Sequence, residues 1–414
     1  MSDVVKLTNQ DWLHWPETHK VMAAIGGEGR FVGGCVRNAL LSAPVADVDI
    51  ATPLLPDEVM RRLQAAGLGA VGTGLEHGTV TAIANKRPFE ITTLRRDVAT
   101  DGRRATVAYT DNWAEDASRR DFTMNALYAD AEGVVFDPVG GLPDLRAGRV
   151  RFIGDAGTRI REDYLRILRL FRFHAWYGKG EIDTVAVSAS AAARDQIKSL
   201  SGERIQKEMV RLLEAETPIA VLRTMAASGI LAEVLPGQLN FERLEGLVEV
   251  DRAAFFTPDP LLRLAALVTS DEQASQIAKR WRLSNDDRDR LRALAASTVK
   301  IVSYLSIPEV SRTMYRHGQA CVRDLVRLRW AEDKKASNGI QWRALLAIVD
   351  SWVRPVFPLS GRDVMNAGVP EGPLVGRVMG EVEEWWIDSN FTDDPFSIAE
   401  RLKAVAQEIG RAHV

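Results

Sequence analysis

Apolar and polar positions alternate in short runs through the first part of the chain and recur at helical spacing through the remainder. Period-two alternation sends successive side chains to opposite faces of a strand. Arg30-Phe31-Val32, Val48-Asp49-Ile50, Thr79 to Ile83, Phe89 to Thr93 and Val134-Val135-Phe136 therefore read as strands. Asp57 to Ala66 reads as a helix among them. From Arg159 onward the pattern turns helical: Leu165, Leu168 and Phe171 share one stripe, and Ala/Leu/Arg-rich segments run on to Ala331. Thr217-Pro218, Pro258-Asp259-Pro260 and Pro355 to Pro358 interrupt that pattern and mark joints between helical layers. An α/β head followed by a helical remainder is predicted.

Composition narrows the class. A chain of 414 residues exceeds the size at which one core keeps growing, so about two to four domains or subdomains are expected. With 46% apolar and 26% charged residues it lies outside the regime of disordered chains. Cys35 and Cys321 are far apart, form no CxxC or Cys/His pair, and exclude a disulfide framework or structural zinc site; a reducing cytoplasm fits. The first residues lack a basic start followed by an apolar core, and no stretch of about 18 apolar residues occurs. Neither export nor a membrane span is expected. The net charge of −3 is a whole-chain sum, and phosphate binding depends on local charge.

Candidate chemistry starts at Phe31-Val32-Gly33-Gly34-Cys35-Val36-Arg37-Asn38, which reads as strand, glycine turn and helix start. Such a turn lets backbone N–H groups approach phosphate oxygens, and Arg37, one helical turn on, has the reach for a γ-phosphate. The bland alternative is a plain strand-to-helix connection. Ten residues further, Asp47-Val48-Asp49-Ile50 places two carboxylates on one strand face and two apolar side chains on the other. Mg²⁺ usually takes only one or two protein carboxylates plus substrate phosphates, so this pair suits a nucleotide–metal site; alone it also fits a solvated strand face. Glu90 is a candidate third carboxylate or an exposed strand residue.

These features, continued by Arg119-Arg120-Asp121-Phe122-Thr123-Met124-Asn125-Ala126-Leu127, Asp137-Pro138-Val139-Gly140-Gly141, Glu162-Asp163-Tyr164-Leu165-Arg166 and Glu203-Arg204-Ile205, resemble the class II tRNA nucleotidyltransferase and poly(A) polymerase family. The likeness is strong over about residues 26 to 215 and weak beyond. It implies an α+β nucleotidyltransferase head of the polymerase-β type over 1–150, a helical neck with the base-reading motif over 151–215, and a helical, RNA-binding body and tail over 216–414. In the reaction it implies, a terminal ribose hydroxyl attacks the α-phosphate of a nucleoside triphosphate and pyrophosphate leaves. It implies two metals: one Mg²⁺ held by Asp47 and Asp49 would lower the hydroxyl's pKa and a second would neutralise the triphosphate, with Glu90 as a further catalytic carboxylate. Gly33, Gly34 and Arg37 would line the nucleotide site, and Arg119 and Arg120 would offer guanidinium forks to triphosphate or ribose oxygens unless they pair with Asp116 or Asp121. Asp121 and Asn125, four apart on one helical face, would hold the ribose or brace these arginines. Phe122 reads as core.

On a helix beginning near Arg161, Tyr164, Ile167, Leu168 and Phe171 share one arc while Asp163, Arg166 and Arg169 share the opposite one. Cytosine and adenine each present an amino donor beside a ring-nitrogen acceptor. An accepting aspartate and a donating arginine match those two bases and reject uracil and guanine. The resemblance assigns Asp163 and Arg166 this role; an ion pair on a solvated helix is the alternative. It places Arg169 and Arg172 near phosphate, and with Arg146, Arg149, Arg151, Arg159 and Arg161 they form a locally basic run, the candidate RNA footprint. Val71 to Thr81 resembles the tRNA-specific branch, and Leu94 to Arg104 the flexible loop of enzymes that add both C and A. The expected activity is addition or repair of the 3′-terminal CCA of tRNA from CTP and ATP. The rival is a poly(A) polymerase.

Overall fold

The structure, a computed structural model, describes residues 4–101, 104–333 and 335–411. It divides into two compact units: one runs through Gly237 and includes Lys279–Arg282, and the other comprises Gln238–Ala278 and the chain from Leu283 onward.

The first unit contains the head. Strands β1 (Arg30–Val32), β2 (Asp49–Thr52), β3 (Gly69–Gly74), β4 (Thr79–Ala84), β5 (Arg87–Thr93), β8 (Tyr128–Ala129) and β9 (Val135–Phe136) form a seven-stranded sheet in the order β3-β4-β5-β2-β1-β8-β9. Its β2–β5 pair is parallel and the others are antiparallel. Strands β6 (Arg95–Asp101) and β7 (Arg104–Tyr109) pair as a separate two-stranded sheet. The alternation read from the sequence locates β1, β2, β4, β5 and β9; β3, β6 and β8 lack it, and β7, where Ala105, Val107 and Tyr109 do alternate, is missed. The Leu94 to Arg104 stretch, likened to a flexible loop, therefore enters a hairpin; Gly102 and Arg103 lie outside the described residues. The core of this sheet gathers Val32, Ala51, Leu94, Ala117, Ala126 and Tyr128.

After Val150 the first unit is largely helical. Helix Leu165–Tyr177 buries Leu165, Ile167, Leu168 and Phe171 and packs on helix Gly202–Leu213, which buries Ile205, Met209 and Leu212. An α+β head followed by helices is thus observed. The second unit is helical, with Phe241–Ala253 and Gln319–Glu332 packed so closely that a Cβ on Gly246 would lie 2.0 Å from the Ala331 carbonyl oxygen. Pro218 precedes helix Ile219–Ala227, Pro260 opens Pro260–Leu267, and Pro355 to Pro358 separate Gly339–Ser351 from Gly361–Asn366, as expected of chain breaks. Among the described residues no helix is long and apolar enough to cross a membrane, and both cysteines are free thiols.

Candidate active site

β1 ends at Val32 and the chain turns through Gly33 into helix Gly34–Leu40. Gly33 has φ 71° and ψ −119°, backbone that side chains with a Cβ rarely adopt. A Cβ there would sit 3.6 Å from Arg120 Nη1, so the glycine turn faces the second arginine.

In β2 the alternation holds: Val48 and Ile50 are buried, and Asp49 is turned the other way and half-buried. Parallel pairing sets Asp49 opposite Glu90 on β5, and in-register side chains of neighbouring strands share a face. Asp47 precedes the strand and is exposed, as is Glu90. Burial, followed by the charges of Glu90 and Asp47, pushes the Asp49 carboxyl up to about 6, with Arg120 acting in opposition. Among the described residues no three His, Cys, Asp or Glu side chains stand as a ready-made metal-holding group. The excess negative charge at Asp49 nevertheless fits a divalent cation held by the aspartate pair and substrate oxygens.

The arginines are held from beneath. Asn112 caps helix Trp113–Ser118 by accepting from the Ala114 and Glu115 N–H groups. This helix carries Asp116, 1% exposed, whose carboxylate accepts from Arg119 Nε at 2.9 Å, Arg120 Nη2 at 3.1 Å, the Tyr128 hydroxyl at 2.8 Å and the Arg95 N–H at 3.2 Å. Burial alone would favour the neutral acid, yet Arg120, Arg119 and Tyr128 hold Asp116 below the usual carboxylate range. The ion-pair alternative for the two arginines is therefore met by Asp116. In sequence it showed only as an acid three and four residues before them.

Asp121 and Asn125 do meet, but not across a helical turn. The helix ends at Ser118, Phe122 is extended at φ −118° and ψ 147°, and Thr123–Asn125 makes a single 3₁₀ turn. Asn125 Nδ2 donates to Asp121 Oδ1 at 3.0 Å. Asn125 Oδ1 accepts from Arg37 Nη1, whose Nη2 donates to Asn38 Oδ1 and to the Tyr177 hydroxyl. Arg37 is 7% exposed and stacks 4.1 Å from the centre of the Tyr177 ring. It clasps the helix after the glycine turn to the second motif. Phe122 is fully buried, as expected of core.

The helix expected from Arg161 is two helices, Ala156–Glu162 and Leu165–Tyr177, broken at Asp163 with φ −154° and ψ 107°. Asp163 Oδ1 accepts the Leu165 N–H at 3.1 Å and Oδ2 accepts Arg204 Nη2 at 2.7 Å. Arg166 Nη1 donates to the Arg159 carbonyl at 2.8 Å and to Glu162, and Nη2 donates to the Arg119 carbonyl at 3.3 Å. The two proposed base readers therefore have different partners. Arg169 donates from Nε to Asp121 at 2.8 Å and lies 3.6 Å from Glu208, which also pairs with Arg172. Glu208 is 5% exposed and was not singled out in the sequence. Its signal was an acid on the apolar stripe of its helix, three residues after Ile205 and four before Leu212.

Within the basic run, Arg146, Arg149, Arg151 and Arg161 are exposed, Arg159 is buried, and Arg166, Arg169 and Arg172 are half-buried and paired. Asp137 accepts the Gly141 and Leu142 N–H groups at 2.7 and 2.9 Å. A Cβ on Gly141 would lie 2.2 Å from the Thr123 carbonyl oxygen, so the space allows only glycine.

A strand-borne aspartate with a second just before the strand, and two arginines braced by Asp116 of which Arg120 borders both Asp49 and the glycine turn, are the arrangement of a nucleotidyltransferase head. Residues 29–151 match the family model of the poly A polymerase head domain, and residues 181–241 match that of the probable RNA and SrmB-binding site of polymerase A. The mitochondrial CCA tRNA nucleotidyltransferase 1 of Mus musculus is 31% identical over 377 residues, covering 88% of this chain and 84% of that protein. The CCA-adding enzyme of Streptococcus gordonii is 31% identical over 399 residues, covering 94% and 96%. The crystal structure of the Bacillus stearothermophilus CCA-adding enzyme in complex with CTP superposes with a TM-score of 0.71 at 25% identity, covering 96% of this chain and 99% of that one. The chain belongs to the class II family of CCA-adding tRNA nucleotidyltransferases and poly(A) polymerases, with CCA-adding enzymes as its relatives over most of its length. Heads of this type typically work with divalent metal ions.

Proposed function

We propose that this chain builds or repairs the 3′-terminal CCA of tRNA, taking CTP and ATP and releasing pyrophosphate. What supports it is the connection, within the first unit, between the sheet-bearing head and the helix Leu165–Tyr177. Arg166 donates to the carbonyl of Arg119, whose side chain is bound by Asp116, and the same Asp116 binds Arg120 beside Asp49. A base at Asp163 and Arg166 and a triphosphate at Arg119 and Arg120 would thus be positioned by one network.

One Mg²⁺ held by Asp47 and Asp49 would lower the pKa of the attacking hydroxyl, and a second would neutralise the triphosphate. Glu90 adds negative charge on the same face. Arg119 and Arg120, fixed by Asp116, offer N–H donors to triphosphate or ribose oxygens, and the Asp121–Asn125–Arg37 chain keeps the glycine turn in place beneath them. Asp163 accepts the amino group of cytosine or adenine, and Arg166 donates to the ring nitrogen. The exposed Arg146, Arg149, Arg151 and Arg161 supply phosphate contacts for RNA. The working division is head over 1–150, neck over 151–215, and RNA-binding body and tail over 216–414. A reducing, cytoplasmic setting accords with the two free thiols.

Sequencing the 3′ ends made from tRNA lacking CCA, tRNA ending in CC and an unstructured RNA, each with defined triphosphates, tests the proposal. Addition of CCA that requires both CTP and ATP and is confined to tRNA is expected. Long A tails from ATP alone on the unstructured RNA would replace this reading with poly(A) synthesis.

A further inference from the structure

Asp163 carries an unusual restriction for a residue that reads bases. Its carboxylate sits at the break between two helices, with Oδ1 tied to the Leu165 N–H at 3.1 Å and Oδ2 tied to Arg204 Nη2 at 2.7 Å. Asp163 and Arg204 are both about one-third exposed, at 34% and 31% of their side-chain surface, so the pair borders open space. The Leu165 bond is local and belongs to the start of the next helix. The Arg204 bond is long-range, made from helix Gly202–Leu213.

A carboxylate with both oxygens free has an obvious wrong partner. The Watson–Crick edge of guanine presents two adjacent donors, N1–H and the 2-amino group, which a carboxylate can accept side by side, one on each oxygen. Cytosine and adenine present a single amino donor there, and uracil presents one N–H between two carbonyls. An aspartate alone therefore accepts guanine better than the intended bases. Of the roughly four lone-pair sites of the carboxylate, the Leu165 and Arg204 N–H groups take one on each oxygen, and the guanidinium seated on Oδ2 obstructs the side-by-side approach of a second pair of donors.

We propose that Arg204 is a specificity-determining positioning residue: by occupying Asp163 Oδ2 it prevents bidentate capture of guanine and leaves the carboxylate matched to a lone amino donor. The inference rests on the base-reading role of Asp163 proposed above and adds to it the residue that shapes the reader. Arg204 touches no reacting atom and acts only through Asp163.

Single-turnover incorporation of each of the four triphosphates onto tRNA lacking CCA tests it, with Arg204→Ala and Arg204→Met, the latter keeping the apolar stem while removing every donor. For both variants the ratio of CTP to GTP incorporation is expected to fall by about ten- to a hundredfold, the worth of one hydrogen bond to a charged group, while the ratio of CTP to UTP stays constant. Arg204→Lys, which retains a donor for Oδ2, is expected to restore rejection of GTP. A uniform fall for all four triphosphates, or an unchanged ratio of CTP to GTP, would overturn the proposal and leave Arg204 a structural ion pair. Asp163→Ala separates the two levels. If it leaves selectivity among the four triphosphates intact, the base-reading assignment itself fails; if it abolishes selectivity while the Arg204 variants do not change it, only the role of Arg204 fails.

Discussion

Two buried aspartates, Asp116 in the first unit and Asp251 in the second, are each gripped by two arginines, yet the two clusters are built for different ends. Asp251 is 3% exposed and binds Arg263 at 3.2 Å and Arg327 at 2.5 Å, with both arginine side chains almost wholly out of solvent. Around Asp116, itself 1% exposed, the arginine side chains keep 18% and 20% of their surface, and Arg120 reaches toward Gly33 and Asp49. In the first case three charges are sealed together as a strut. In the second a sealed carboxylate holds two guanidinium groups that stay partly open to solvent. The difference teaches that a carboxylate–arginine cluster is assigned by the exposure of its cations, since the anion is buried in both.

The largest effect that would test this contrast is on stability. Asp251→Ala leaves two buried arginines without their shared carboxylate and should destabilise the second unit by about 3–5 kcal/mol, read from the denaturant midpoint. A loss of under a kilocalorie would mean that the arginines find other partners and the strut is dispensable. Next comes Asp116→Ala, expected to reduce kcat for CTP addition on the order of a hundredfold, the scale of a misplaced electrostatic contact to a transferring phosphoryl group, with less loss of stability than Asp251→Ala. The opposite ranking, intact kcat with a large drop in melting temperature, would make Asp116 a strut as well.

The smallest effect sharpens the comparison through pH. Asp49, unlike Asp116, has its carboxyl raised to about 6 from an ordinary 3.8, so between those values the folded chain binds more protons than the unfolded one. Its contribution to stability is therefore greatest below 3.8 and is lost as pH rises through 6. In chelator-treated protein the melting temperature of Asp49→Asn should exceed that of the parent at pH 7 and converge with it near pH 4, and added Mg²⁺ should raise only the parent. Parallel melting curves at all pH values would show that Asp49 carries no excess repulsion.

The legibility of these features in the sequence followed how local each was. β1, β4 and β5 and the acidic pair of β2 were readable because period-two alternation is a property of neighbours. The hairpin β6–β7 was not, because Arg95–Asp101 is mostly polar and the period-two run of Ala105, Val107 and Tyr109 in Arg104–Tyr109 is short and begins with a small residue. The break at Asp163 was hidden for the opposite reason: apolar spacing continues through Leu165, Ile167 and Leu168, and nothing in it requires Asp163 to leave the helix. Among the candidate site residues, Asp49 and Glu90 were legible as carboxylates on strands, whereas their pairing was not, since register between distant strands leaves no mark on either. Asp116 was legible as an ion-pair partner because Arg119 and Arg120 follow it by one helical turn, though its bond from Tyr128 was not, and Glu208 escaped because Arg169 and Arg172, which give it meaning, belong to another element.

That distant register also governs when the site can come into being. Because β2 and β5 run parallel, Asp49 and Glu90 become neighbours only after the chain between them has crossed over and laid down helix Pro56–Ala65 and strands β3 and β4. Closing a loop of that length is a cost that must be met before the pairing is rewarded, so the acidic face is among the non-local contacts of the head. A nascent chain emerging with Asp47 and Asp49 but not yet β5 carries its aspartates without the added repulsion of Glu90, which arrives only as the sheet closes.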